Sequence, residues 1–65
     1  MPDQRLTRRQ AQVCELLAVG KTNKEIAAEL RMAARTVETH RAAIYEKMGV
    51  RNVVELVRKT LGATV

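Results

Sequence analysis

Phe and Trp are absent from this chain, and Tyr45 is its only aromatic residue. A core must therefore be built from Leu, Ile, Val, Met and Ala. Strand signals are nearly missing as well. No run alternates apolar and polar residues, and no Asn-Gly or Asp-Gly dipeptide marks a hairpin. What remains are long Ala-, Glu-, Leu- and Arg-rich stretches, so the fold class reads as all-α. The single cysteine, Cys14, excludes an internal disulfide. On a helix it reads as a small buried hydrophobe, with a redox role as the alternative. No Cys/His cluster has metal-ligand spacing, so no metal and no cofactor are expected. No apolar stretch approaches the ~20 residues of a membrane span, and no signal-peptide pattern opens the chain. A soluble, cytoplasmic protein is the expectation.

Catalysis is disfavoured by what is missing. There is no Ser/His/Asp set, no pair of carboxylates and no Gly-rich phosphate loop. A chain of 65 residues is also too small to enclose a pocket. It allows one domain, read here as residues 1–65 with an ordered core at about 6–62. Such a domain buries only about 60% of its unfolded surface, so dimerisation or a further domain would help it.

Charge is what the chain has in excess. Twelve Lys and Arg stand against seven Asp and Glu, a net charge of +5. The pI of about 10.2 passes the rough threshold for a nucleic-acid footprint. Anionic membranes and acidic proteins attract basic domains too, so charge alone does not decide.

Punctuation divides the chain into four helices. Thr7 and Gln10 form a Thr-x-x-Gln capping box, apolar residues follow at Ala11, Val13, Cys14, Leu16 and Leu17, and Gly20 stops the run. The first helix is expected at about Arg8–Val19. Thr22 and Glu25 repeat the box, with Ile26, Ala27 and Leu30 as the apolar stripe, for a second helix at Asn23–Leu30. Arg31, Met32 and Ala33 make a tight connector. The third helix is expected at Ala34–Met48, closed by Gly49. Its inner stripe is Val37, His40, Arg41, Ile44 and Met48 at about 100° per residue. Its outer face carries Arg35, Thr39, Ala42, Ala43 and Glu46. Asn52 and Glu55, again three residues apart, give a third capping-box pattern and open a fourth helix at Val53–Leu61. Met1–Arg5 and Gly62–Val65 are expected to fray.

The short connector between helices two and three forces a steep crossing, the geometry of a helix-turn-helix. In that motif the second helix enters the major groove of DNA with its early residues on base edges. Ala42 and Ala43 let a backbone approach closely, and an alanine methyl can touch a thymine methyl. Equally, alanine simply favours helix. Thr22, Asn23 and Lys24 at the start of helix two form a natural phosphate site, while a solvated Lys24 is the plain alternative. His40, inside an apolar stripe, reads as a structural histidine hydrogen-bonded under the motif. The Arg41 stem can pack inward with its head reaching a phosphate or an acidic side chain.

Leu6-Thr7-x-Arg9, Gly20-x-Thr22-Asn23-Lys24-Glu25-Ile26-Ala27, Thr36-Val37-Glu38-x-His40 and Ile44-x-x-Lys47-Met48-Gly49-Val50 occur in order. Together they resemble the LuxR-type (GerE-type) helix-turn-helix domain over about Leu6 to Leu61. The Glu38 version with His40-Arg41-Ala42 looks closest to the FixJ-like response-regulator output subgroup. The resemblance implies a four-helix domain of bacterial transcription regulators, usually behind a phosphorylatable receiver or a ligand-binding domain. It implies base contacts from Glu38, Thr39 and Ala42, and backbone contacts from Thr22, Asn23, Lys24, Thr36 and Lys47. Arg35 and Ala43 complete the candidate DNA-binding set. It also implies a homodimer through the last helix, with Val54, Val57, Arg58 and Leu61 as interface candidates. Expected partners are double-stranded promoter or operator DNA, a second copy and RNA polymerase. No membrane and no small-molecule ligand are expected.

Four departures from the family pattern stand out. Gln10 replaces a usual Glu, so a salt bridge to Lys47 becomes at best a neutral hydrogen bond. Ala33 replaces a usual Ser at the start of helix three, which removes an N-cap. Glu38 replaces a frequent Lys, and Val53 a frequent Arg. Two rivals remain. One is a protein-binding helix-turn-helix module that heterodimerises with and antagonises a longer regulator. The other is a sigma-factor-like domain. A basic start to helix two and an outward Arg35 and Thr39 are features an adaptor does not need.

Overall fold

The computed structural model describes the backbone of residues 6–62 and the side chains of 6–60. Four helices follow in order: α1 (Arg8–Ala18), α2 (Asn23–Leu30), α3 (Ala34–Met48) and α4 (Val53–Gly62). No strand occurs among the described residues. Two boundaries move by one residue. Val19, expected inside α1, is its C-cap, and Gly62, expected in a frayed tail, is the last residue of α4. Residues 1–5 and 63–65, expected to fray, lie outside the described residues. No helix among the described residues is long and apolar enough to cross a membrane.

Local chemistry accounts for where the helices start. Thr7 and Thr22 sit in extended backbone, and each hydroxyl accepts the N–H of the residue three positions on. Gln10 and Glu25 reach back to the cap N–H at 3.0 and 2.8 Å. Both expected boxes are therefore closed. The box expected at α4 is built differently. Asn52 Oδ1 does accept the Glu55 N–H at 2.9 Å, but Glu55 Oε1 takes the N–H of Arg51 at 2.8 Å instead of that of Asn52. The Arg51 side chain also stands 3.7 Å from the same carboxylate.

The starts of α3 and the ends of α1 to α3 show two weak points. Ala33 occupies the N-cap of α3 at φ −70°, ψ 147°, and no side chain caps it. That backbone closely matches Thr7 and Thr22. Ala33→Ser would thus place a hydroxyl where the Thr36 N–H can donate. It should raise stability by ~1 kcal/mol, a rise in thermal midpoint of about 4–8 °C for a domain of this size. An unchanged melt would mean that the first turn of α3 gains nothing from a cap. The other weak point is Arg31. The first three helices all close with an N–H bonded five residues back, at Lys21, Met32 and Val50. Left-handed residues make the turns: Gly20 (φ 93°), Arg31 (φ 56°) and Gly49 (φ 69°). Only Arg31 carries a Cβ there, at a cost of about 1–2 kcal/mol.

The core lies between α1 and the other helices, all three of which it touches, while α2 packs on α3. Val13, Cys14 and Leu17 of α1 are buried with Ile26 and Ala27 of α2, Val37 and Ile44 of α3, and Leu56 of α4. Fully burying each of the larger aliphatic side chains contributes about 1.5–3 kcal/mol. Leu6, Leu16, Leu30, Met32, Tyr45, Met48 and Val50 close its edges. The interior is aliphatic, as the missing Phe and Trp required. Burial, with a smaller push from the charge of Glu15, raises the Cys14 thiol above its ordinary pKa. It therefore stays a neutral, inert thiol, in line with its reading as a small hydrophobe.

Candidate nucleic-acid interface

The start of α2 is an unspent set of donors. The Thr22 hydroxyl accepts the Glu25 N–H at 3.1 Å, and the Thr22 carbonyl accepts the Ile26 N–H at 2.9 Å. The N–H groups of Asn23 and Lys24 then have no acceptor among the described residues. They are joined by the exposed side chain of Lys24. Partial positive charge from the helix dipole collects at the same point.

Glu25 is the acidic residue of that first turn. The Thr22 N–H, and then the Thr22 side chain, hold its carboxyl below the usual value of 4.5. The folded pKa is depressed, so the ionised form is the one that the fold favours. Its contribution to stability is present above 4.5 and is lost as pH falls through the lower folded value. Glu25→Gln should therefore flatten the acid side of a melting-temperature profile while changing little at neutral pH. An identical acid slope in both proteins would exclude this account of the cap.

The outer face of α3 presents Arg35, Thr36, Glu38, Thr39 and Ala42, all exposed. Ala43, expected outward with them, is half-buried. It lies on the flank of the helix, one turn before the likewise half-buried Lys47. The Thr39 hydroxyl donates to the Arg35 carbonyl at 3.1 Å. Its proton is thus committed within the helix, and a methyl group and an acceptor oxygen are left to face a ligand. Glu38 forms no ion pair among the described residues, although Arg35 and Arg41 stand three positions to either side.

Two basic residues are held from below. Lys47 Nζ donates to Gln10 Oε1 at 2.8 Å, and the same oxygen accepts the Thr7 N–H at 3.0 Å. The expected bond is there, but it is not neutral: the ammonium keeps its charge, so the bond is charge-assisted. Arg41 Nη1 donates to Asn23 Oδ1 at 3.0 Å, and its guanidinium lies 5.9 Å from the centre of the Tyr45 ring. Arg41 was expected to pack its stem inward and send its head to a phosphate or an acidic side chain; among the described residues the head meets the Asn23 amide oxygen. The Arg41/Tyr45 spacing of four residues was the available signal for the ring contact. His40 is half-buried, yet the hydrogen bond expected of its ring is not formed among the described residues.

On α4, Leu56 points into the core while Val54 is 63% exposed. Arg58 is exposed and Val57 half-buried. The side chain of Leu61 lies outside the described residues.

The chain is 56% identical over 54 residues to the transcriptional regulatory protein UhpA of Escherichia coli, covering 83% of the chain and 28% of UhpA. It is 46% identical over 59 residues to the response regulatory protein YgeK of the same organism, covering 91% of the chain and 40% of YgeK. It is also 46% identical over 57 residues to the spore germination protein GerE of Bacillus subtilis, covering 82% of the chain and 77% of GerE. The chain thus spans less than half the length of the first two relatives and most of the third. No solved structure matches it significantly. The family model for bacterial regulatory proteins of the luxR family matches residues 4–60. The chain therefore belongs to the luxR family of bacterial regulatory proteins, helix-turn-helix domains of DNA-binding transcription regulators.

Proposed function

We propose that this domain binds double-stranded DNA sequence-specifically, with α3 in the major groove and the start of α2 on the phosphate backbone. The observation that carries the reading is the adjacency of two unlike surfaces. One is the exposed, mostly uncommitted face Arg35–Ala42. The other is a helix start with free N–H donors and Lys24 beside it. Phosphate contacts set register, and base contacts specify. Thr22, Asn23, Lys24, Thr36 and Lys47 take the first role. Glu38, Thr39, Ala42 and Arg35 take the second, with Ala43 at their edge.

Dimerisation through α4 completes the proposal. Val54 is exposed next to Arg58 and half-buried Val57, and Leu61 follows one turn on. Pairing there would place two copies of α3 on half-sites about one helical turn apart. The same exposed Val54 favours a second reading, a module that pairs with a longer regulator and blocks it.

Selection from a pool of random duplexes at two salt concentrations separates these. A palindromic motif bound with steep salt dependence supports the dimeric reader. Lys24→Ala should then weaken binding to every sequence and make the salt slope shallower by about 0.9. Thr39→Ala should instead change which sequences are kept. Uniform loss in both variants would remove α3 from the role of reader, and no binding at low salt would favour the pairing module.

A further inference from the structure

Arg41 stands apart from the outward residues of α3. Its half-buried side chain reaches across to Asn23, eighteen positions earlier and the first residue of α2. A guanidinium is therefore parked at the positive end of a helix. For folding alone that is the wrong end, because the dipole favours anions there. Lys24 adds a second cation beside it. Glu25, the acidic residue of the turn, is already engaged with Thr22. Among the described residues the partners of Arg41 are the Asn23 amide oxygen and the Tyr45 ring, and no carboxylate offsets its charge there. A local rule broken in this way marks a place where function can set the residue.

The contact also fixes the Asn23 amide. A guanidinium has donors only, so Asn23 must turn its oxygen toward Arg41. The amide NH2 occupies the opposite branch, and no described residue accepts from it. Tyr45 backs the guanidinium from the next turn of α3. The amide NH2, the N–H groups of Asn23 and Lys24, and the Lys24 ammonium are thus donors carried by the first two residues of α2, and Arg41 adds its charge against the first of them.

We propose that Arg41 is a positioning residue for a DNA phosphate: it orients Asn23 so that the amide NH2 donates to the backbone, and its charge strengthens that site. This rests on the DNA reading above. The test compares wild type, Arg41→Met and Arg41→Lys for thermal midpoint and for affinity to a short mixed-sequence duplex across a salt series. Arg41→Met keeps the stem against Tyr45 and removes the donors and the charge. Its midpoint should hold or rise, since the repulsion at α2 is gone. Its affinity should fall on the order of threefold to tenfold, with a salt slope shallower by about 0.9. Arg41→Lys should restore the slope but only part of the affinity, because an ammonium lacks the planar fork that orients the amide.

A lower midpoint or loss of folding in Arg41→Met would make Arg41 a brace of the fold and overturn the proposal. Unchanged affinity and slope would overturn it as well. Failure of the wild type to bind the duplex at low salt would strike the DNA reading itself, and that result is visible before any variant is made.

Discussion

Asn23→Asp should make the domain more stable and at the same time nearly unable to bind DNA. A carboxylate at the first position of α2 meets the positive end of the helix dipole, worth about 0.3–1 kcal/mol. It also replaces a neutral acceptor with an anion facing the Arg41 guanidinium, which donates to Asn23 at 3.0 Å. Asn23 is only half-buried, so solvent screening limits the ion pair. A combined gain of roughly 1 kcal/mol corresponds to a rise in midpoint of about 4–8 °C. Binding moves the other way. The amide donor is lost, Arg41 is neutralised, and a negative charge faces phosphate. A fall in affinity on the order of 100-fold is expected, since it removes about two phosphate contacts' worth of attraction. Melting and duplex titration in one buffer check both halves. A destabilised variant, or one that binds duplex normally, would show that the start of α2 is not a phosphate site.

Glu38→Ala should raise affinity for duplexes in general and lower discrimination among them. The Glu38 carboxylate is exposed and pairs with neither Arg35 nor Arg41. Near DNA it repels every phosphate, a cost that the right base can offset by donating a hydrogen bond, as cytosine N4 does. One well-made base contact discriminates by about 1–3 kcal/mol, or roughly fivefold to 150-fold. The variant should therefore lose preference at one base-pair position of each half-site while its affinity for mixed sequence rises severalfold. Repeating the selection with Glu38→Ala measures this. An unchanged motif with equal preference at every position would place Glu38 away from the bases.

The helices were legible because their ends are written in short-range chemistry. Thr7 with Gln10 and Thr22 with Glu25 close within three residues, so spacing alone predicts them. The inner stripes of α1 to α3 were legible for the same reason: Val13, Cys14, Leu17, Ile26, Val37 and Ile44 repeat at helical period and are buried. Contacts between helices were harder to read. A donor-only guanidinium can satisfy any acceptor, so nothing near Arg41 in sequence selects Asn23. Only the crossing of α2 and α3 does. Ala43 illustrates the limit of reading by face, since a flank position is inner or outer according to what packs beside it. Arg31 illustrates another. The sequence marks Gly20 and Gly49 as helix stops, but a left-handed arginine is imposed by the short connector and has no local signal. At α4 the Asn52 half of the box closed, while Glu55 took the N–H of Arg51, one residue outside the expected cap.

The central claim is that α3 reads DNA while the start of α2 holds the backbone. Amide chemical-shift changes on adding the duplex recovered by selection test it most directly. The account predicts large changes confined to Thr22–Lys24, the outer face of α3 from Arg35 to Ala42, and Lys47. The buried positions Val13 and Leu17 should stay nearly still. Changes centred on Val54 and Arg58, with the α3 face unmoved, would contradict it.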